Sequence, residues 1–278
     1  MNRGHSQLLL NNPSGDAAAL AAYAEAIALL RTLPLDQNAS WANSFGAACM
    51  NHGQLLHRVH GTTRAADALA SFEAGITALG PIADSTDSPW PRRNLAGSLL
   101  NRANLLLDLA RPADAAISAR TAVALCTASA ASELIDADLT LKARRALGDA
   151  LGQLLTSPNA DQAAIATEAS DVVDASLALV RQWAARGETS FRELALRFFR
   201  YGTQLYRFHQ PQFLAEFIEE NLALGDALRP VALRAIDEAL SRPASAPVYL
   251  VVGDAATERY LETRRDLEAL RARLAPVT

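Results

Sequence analysis

Four small residues recur at a nearly constant distance along this chain. They are Gly53, Ala103, Gly152 and Gly202, separated by 50, 49 and 50 residues. A leucine follows each of them three positions later: Leu56, Leu106, Leu155 and Leu205, within MNHGQLL, LNRANLL, DALGQLL and FRYGTQL. On a helix, a small residue lets a neighbouring backbone come close, and a leucine one turn on fills the space beside it. A recurring anchor of this kind predicts repeated helix pairs, each burying its apolar face on the next.

Composition points the same way. Half of the 278 residues are hydrophobic, and alanine and leucine dominate while Val, Ile and aromatic residues are sparse. That balance favours closely packed helices over sheets. Glycine, proline and capping residues divide the chain. Ser14-Gly15-Asp16 opens a helix that stops before Pro34, and Ser40 is a cap for the next, which ends at Gly61. A third helix covers 63–79, and the Pro/Ser/Asp-rich stretch GPIADSTDSPWPR reads as a loop. Further helices follow over 92–110, 112–129, 132–155 and 158–186, the last started by Ser157-Pro158. Ser190 and Glu193 have capping-box spacing ahead of FRELALRFFRYGTQLYRFHQ. Pro211 starts another helix reaching 228, and a shorter one covers 231–241. Residues 242–247 read as a linker, and VYLVV as an extended segment or a helix start. Tyr260, Leu261, Leu267, Leu270 and Leu274 form an apolar stripe on a tail helix over 257–274, with arginines opposite.

The segment NRANLLLDLARPADAAISARTAVAL, residues 101–125, shows the repeat unit most clearly. Two short amphipathic helices hinge at Arg111-Pro112. Ala103 and Leu106 stand on the first, and Ala115, Ala119 and Ala122 on the second; Ala68, Phe72 and Gly75 occupy the same places in the preceding unit. This pattern resembles the tetratricopeptide repeat (TPR), a helix-turn-helix unit of 34 residues. The longer period here calls for longer helices or connections. The resemblance implies an all-α fold, a right-handed α-α superhelix (TPR-like solenoid) of about four helix pairs with N- and C-terminal capping helices. Its expected parts are an N-terminal segment and capping helix over 1–39, the repeats over 40–228, and capping helices over 229–278.

In TPR-like proteins the first helices line a concave groove that binds peptides, and some members clamp a terminal carboxylate there with asparagines and basic residues. Helical spacing places the residues two before, one after and five after each anchor on one such face. Those are Asn51, Gln54 and Arg58; Asn101, Asn104 and Asp108; Ala150, Gln153 and Ser157; and Arg200, Thr203 and Arg207. An amide both donates and accepts, so it can pair with the backbone of an extended chain; the same residues also suit a plain solvated face. In the fourth unit Phe198, Tyr201, Gly202, Leu205 and Phe208 fall on the packing face. Phe199 and Tyr206 lie nearer the groove beside Arg200 and Arg207, and aromatic residues with arginine typify binding hot spots.

Other chemistries find little footing. A net charge of −4 argues against a non-specific nucleic-acid binder. Cys49 and Cys126 lack any metal-ligand spacing and read as free buried thiols. His57 and His60 share a helix face without a carboxylate or cysteine to complete a metal site. HExxH, P-loop and GxSxG patterns are absent, so no enzyme, metal or cofactor is expected. The N-terminal apolar run is too short for a signal peptide, and no segment is long enough to span a membrane. The expectation is a cytoplasmic protein- or peptide-binding scaffold. A peptide- or ligand-responsive regulatory sensor is the alternative in the same architecture. The apolar stripe of the tail helix offers another, a self-assembling subunit that pairs with a second copy.

Overall fold

Caps and breakers cut the chain into helices, and a computed structural model describes residues 13–158, 160–241 and 254–275. The described helices are α1 (Pro13–Arg31), α2 (Ala39–His60), α3 (Ala65–Leu79), α4 (Trp90–Asp108), α5 (Pro112–Thr127) and α6 (Leu134–Leu154). They continue with α7 (Gln162–Ala184), α8 (Arg192–His209), α9 (Leu214–Leu222), α10 (Arg229–Leu240) and α11 (Asp254–Leu274). The described residues contain no strand, and no helix among them is long and apolar enough to cross a membrane. The linker 242–247 and the VYLVV segment lie outside the described residues.

Several helix starts differ from the sequence reading. Asn38 rather than Ser40 caps α2; its side chain accepts from the Ser40 and Trp41 backbone N–H groups at 2.9 and 3.2 Å. Asp161 caps α7 through Ala164 N–H, four residues later than the Ser157 signal. The Ser190/Glu193 spacing makes no capping box, because Ser190 N–H is taken by Glu188 Oε1 at 2.7 Å and α8 begins after Phe191. The helix expected from Pro211 to 228 is broken at Gly225, whose φ of 144° only glycine adopts easily. At the other loop, helix α4 already begins at Trp90, inside the stretch read as irregular.

The chain forms two compact units, residues 1–153 and 154–278, and the division falls within the 40–228 stretch. In the first unit α2 and α3 pack as an antiparallel pair, with Gly46 against Leu79 and Gly53 against Phe72. A Cβ on either glycine would overlap its neighbour's side chain, so the pair depends on their absence. Helices α4 and α5 pack likewise, with Ala103, Ala115 and Ala119 wholly buried. Small residues on both sides replace the glycine-and-ring arrangement there.

Polar rungs join the first helices of successive pairs. Asn94 donates to Asn43 Oδ1 at 2.9 Å and His57 meets Asp108 at 2.7 Å; both pairs are 51 residues apart, so α2 and α4 run parallel in one register. Between α4 and α6 the rungs are Arg93–Asp136 and Arg145–Asn104, separated by 43 and 41 residues. Ala103 therefore has its neighbour on α6 close to Arg145, and Gly152 lies seven residues beyond it. Seven residues are two helical turns, which keeps a residue on the same face while moving it along the axis. That explains why Gly152 matched the pattern without occupying the anchor place. It is only half-buried in the last turn of α6, and Leu155 falls past the helix end.

Arg93 and Asp136 are the buried rung, with side-chain exposures of 11% and 5%. Two guanidinium bonds, at 2.6 and 3.2 Å, and the Ser129 hydroxyl, at 2.5 Å, satisfy the carboxylate. Burial pushes Asp136 up, but hydrogen bonds from Arg93 and Ser129 and the charges of Arg93 and Arg92 outweigh it, leaving the group below its ordinary value. Its stabilisation is thus complete above the ordinary value of 3.8 and lost as pH falls through the lower folded value.

In the second unit, Gly202 of α8 admits the Phe217 ring of α9, so a ring against a glycine recurs there. Helices α10 and α11 form a further antiparallel pair. Arg229 binds the Leu274 carbonyl at 2.9 Å and Arg264 the Leu240 carbonyl at 3.2 Å, so each guanidinium closes the carbonyl end of the other helix. Leu267 and Leu270 are buried against the preceding helices, as the tail stripe predicts, whereas Leu261 is exposed. The side chain of Tyr260 lies outside the described residues.

Three stability outcomes follow from this packing. Arg93→Ala leaves the Asp136 carboxylate buried without its partner and should cost about 3–5 kcal/mol in urea denaturation at neutral pH. The parent should lose stability on acidification below pH 3.8 more steeply than an Asp136→Asn variant, which lacks the titrating group. Gly202→Ala gains about 1 kcal/mol of helix propensity, yet its methyl must displace the Phe217 ring, for a net loss of about 1–3 kcal/mol. Gly80→Ala, whose Cβ would meet no atom within 4 Å, is the control and should leave the melting temperature equal or higher. Equal behaviour of the two glycine variants would contradict this account.

Candidate binding surfaces

On α2 and α4 the polar residues expected to line a groove divide into two groups. Arg58 is held by Asp16 of α1 at 2.5 Å, Asp108 by His57, and Asn104 accepts from Arg145 at 3.3 Å. These are rungs between neighbouring helices, not free contacts for a partner. Asn51, Gln54 and Asn101 have no side-chain hydrogen bond among the described residues; Gln54 is exposed and the two asparagines are half-buried. Gln153 is exposed at the end of α6, Ala150 is wholly buried, and Ser157 lies beyond the helix.

On α8 the packing face includes Phe198, Gly202 and Leu205 as expected, but it is wider than the sequence reading. Phe199 is fully buried, Thr203 is 3% and Tyr206 7% exposed, while Phe208 stands 42% exposed. Phe199 and Tyr206 are thus core residues and Phe208 is not, the reverse of the sequence reading. The cause is Gly202. Without a side chain there, the Phe217 ring enters α8, stacks on Phe199 at 5.5 Å and lies tilted against Tyr206 at 4.6 Å between centroids. Helix α7 covers the adjoining flank, where Tyr206 donates its hydroxyl to Asp174 Oδ2 at 2.6 Å. Two neighbours bury a wider arc than the single packing partner assumed from sequence.

One face of α8 carries Arg200, Thr203, Gln204 and Arg207, at i, i+3, i+4 and i+7, with Arg200 and Gln204 exposed. It faces Pro230, Val231, Arg234, Ala235 and Glu238 of α10 across a cleft of about 520 Å³. Thr203 closes the floor, its hydroxyl returned to the Arg200 carbonyl at 2.9 Å. Arg207 pairs with Glu238 and lies over the Phe208 ring at 4.6 Å. Arg200 and Arg234 are exposed, and their side chains have no ion pair or hydrogen bond among the described residues. Arg200, Thr203 and Arg207 were marked by the sequence; Gln204, Arg234 and Glu238 were missed. The helical spacing of residues 230, 234 and 238 was the available signal, hidden because α10 was read only as a cap.

A second cleft of the same unit, about 310 Å³, is lined by Asp174, Tyr206, Gln210, Phe213, Glu216, Phe217 and Glu220. Burial raises Asp174 above the usual carboxylate range, the Tyr206 hydrogen bond opposes this, and the charges of Glu220 and Asp171 add to it. Burial and Asp174 in turn push the Tyr206 phenol up. In the first unit a cleft of about 270 Å³ includes Arg31, Cys49, His52 and Ser71. Its groups are turned to structural ends. His52 Nδ1 meets Ser71 Oγ at 2.9 Å, but that hydroxyl donates to the Asp67 backbone carbonyl, and the Asp67 carboxylate faces Arg64. Burial and Arg64 lower the His52 pKa, so the ring is neutral near pH 7. Cys49 and Cys126 are free and buried, with burial pushing them to about 12 and about 11. Neither is a thiolate nucleophile at neutral pH. Among the described residues no group of three or more His, Cys, Asp and Glu is arranged to hold a metal ion.

Tyr206→Phe removes the hydroxyl that stabilises ionised Asp174, so the Asp174 pKa should rise further. A carboxyl-carbon NMR titration measures it, and an unchanged or lower value would contradict the assigned hydrogen bond. No protein-family model matches the chain, and a search of curated proteins found no match.

Proposed function

We propose that this protein is a TPR-like helical-repeat module that binds a protein or peptide partner, using the adjoining faces of α2 and α4. One observation carries the reading. Helices α2 and α4 lie parallel, yet Asn51, Gln54 and Asn101 make no internal hydrogen bond among the described residues, unlike the paired Asn43, Asn94 and Asn104. Three unused amides on neighbouring helices can supply both donors and acceptors to the backbone of an extended chain. The ring-and-glycine contacts at Gly53 and Gly202 support the repeat architecture behind this reading. A cytoplasmic, non-catalytic role belongs to the same proposal. The tail helix lends no support to self-assembly, since Leu267 and Leu270 are packed inside their own unit.

A displayed peptide library selected on the parent protein provides the test. Each lost amide contact is worth about 0.5–1.5 kcal/mol. The triple variant Asn51→Ala, Gln54→Ala, Asn101→Ala should therefore bind the selected peptides roughly ten-fold or more weakly. Its melting temperature should stay close to the parent's. Selected peptides that bind the variant as tightly as the parent would place the contact surface elsewhere.

A further inference from the structure

Arginine supplies almost all the positive charge of this chain, and most described arginines have a structural partner. Arg58 meets Asp16, Arg93 meets Asp136, Arg102 meets Glu73 and Arg271 meets Asp237. Arg200 and Arg234 differ. They come from two helices, line the same cleft, and their side chains have no ion pair or hydrogen bond among the described residues. The other arginine of the cleft, Arg207, is balanced by Glu238, which leaves two positive charges uncompensated among the described residues.

We propose that the cleft between α8 and α10 is a binding site for a phosphomonoester dianion. Two unpaired guanidinium groups match a ligand charge of about −2, the upper value for a phosphomonoester near neutral pH. The number of oxygens discriminates further. One arginine fork can satisfy both oxygens of a carboxylate, whereas a phosphoryl group offers three acceptors. Two forks from the two helices, with the Gln204 amide also lining the cleft, match those three. The organic remainder has a surface of its own in Pro230, Val231 and Ala235, and a cleft of about 520 Å³ has room for it. This size falls in the range of roughly 300–1,000 Å³ usual for small-ligand sites. The site lies in the second unit and does not depend on the α2–α4 face.

Calorimetric titration of the full chain tests the assignment, with phenyl phosphate, benzoate and benzyl alcohol as probes of equal ring and different head group. Phenyl phosphate should bind, benzoate more weakly, and benzyl alcohol not at all. Arg200→Gln and Arg234→Gln should each weaken phenyl phosphate roughly ten-fold or more, because each removes a charge-assisted bond. Arg192→Gln, exposed on the same helix outside the cleft, should leave it unchanged. Both cleft arginines are exposed, so the variants should fold, as their circular dichroism will report. A phosphoserine peptide bound more tightly than phenyl phosphate would give a modified protein as the source of the group. The reverse order would give a small metabolite. Absence of phenyl phosphate binding, equal binding of benzoate, or undiminished binding by the double arginine variant would overturn the proposal.

Discussion

The packing of both units depends on backbone approach at positions without a side chain. Phe72 sits against α2 because position 53 has no Cβ, and Phe217 sits against α8 because position 202 has none. A ring so placed fills the gap completely and covers residues one turn away on either side, which is how Phe199 and Tyr206 become core. At the α4–α5 contact the same closeness is reached by alanine on both helices. These are two solutions to one volume constraint: a large residue facing none, or two small residues facing each other. Enlarging one side without shrinking the other breaks either solution.

Close approach between the first helices places polar side chains beside one another, and most then pair internally. Asn43 with Asn94, His57 with Asp108, and Asn104 with Arg145 each join adjacent helices. A polar row on stacked helices therefore has two competing uses, and residue type does not distinguish them. Asn101 and Asn104 illustrate the point, three residues apart on α4, one with no side-chain partner among the described residues and the other bonded to α6. Only the offset of the neighbouring helix decides which side chain meets a partner.

That offset is also what the sequence could not display. Helical content, the Gly53, Ala103 and Gly202 anchors, the buried thiols and the apolar face of the tail helix were all legible, because each rests on local composition or a short period. The axial position of α6 was not legible. A shift of two whole turns preserves the face, so Gly152 fits the periodicity while Arg145 takes the neighbouring place. The width of the buried arc on α8 was hidden for a related reason. It depends on how many helices surround α8, and no residue of α8 encodes that number. Caps failed through local competition, since several polar residues near each helix start could accept the same N–H groups and only one geometry wins.

Arginine makes the final distinction between holding the fold together and leaving a surface available. At Arg93 the charge is buried, so it needs the Asp136 carboxylate and makes two bonds to it. At Arg229, and at Arg264 beside its Glu268 pair, the partner is a helix-end carbonyl, which has no net charge but a favourable dipole. Arg200 and Arg234 meet neither condition. They stay in water, where an unpaired guanidinium has little desolvation cost, and among the described residues the cleft between them has Glu238 as its one acid, already turned to Arg207. A fold that pairs its buried arginines and leaves two hydrated ones facing a common cleft keeps that cleft positive without destabilising itself. The charge is then open to an anion from outside the chain.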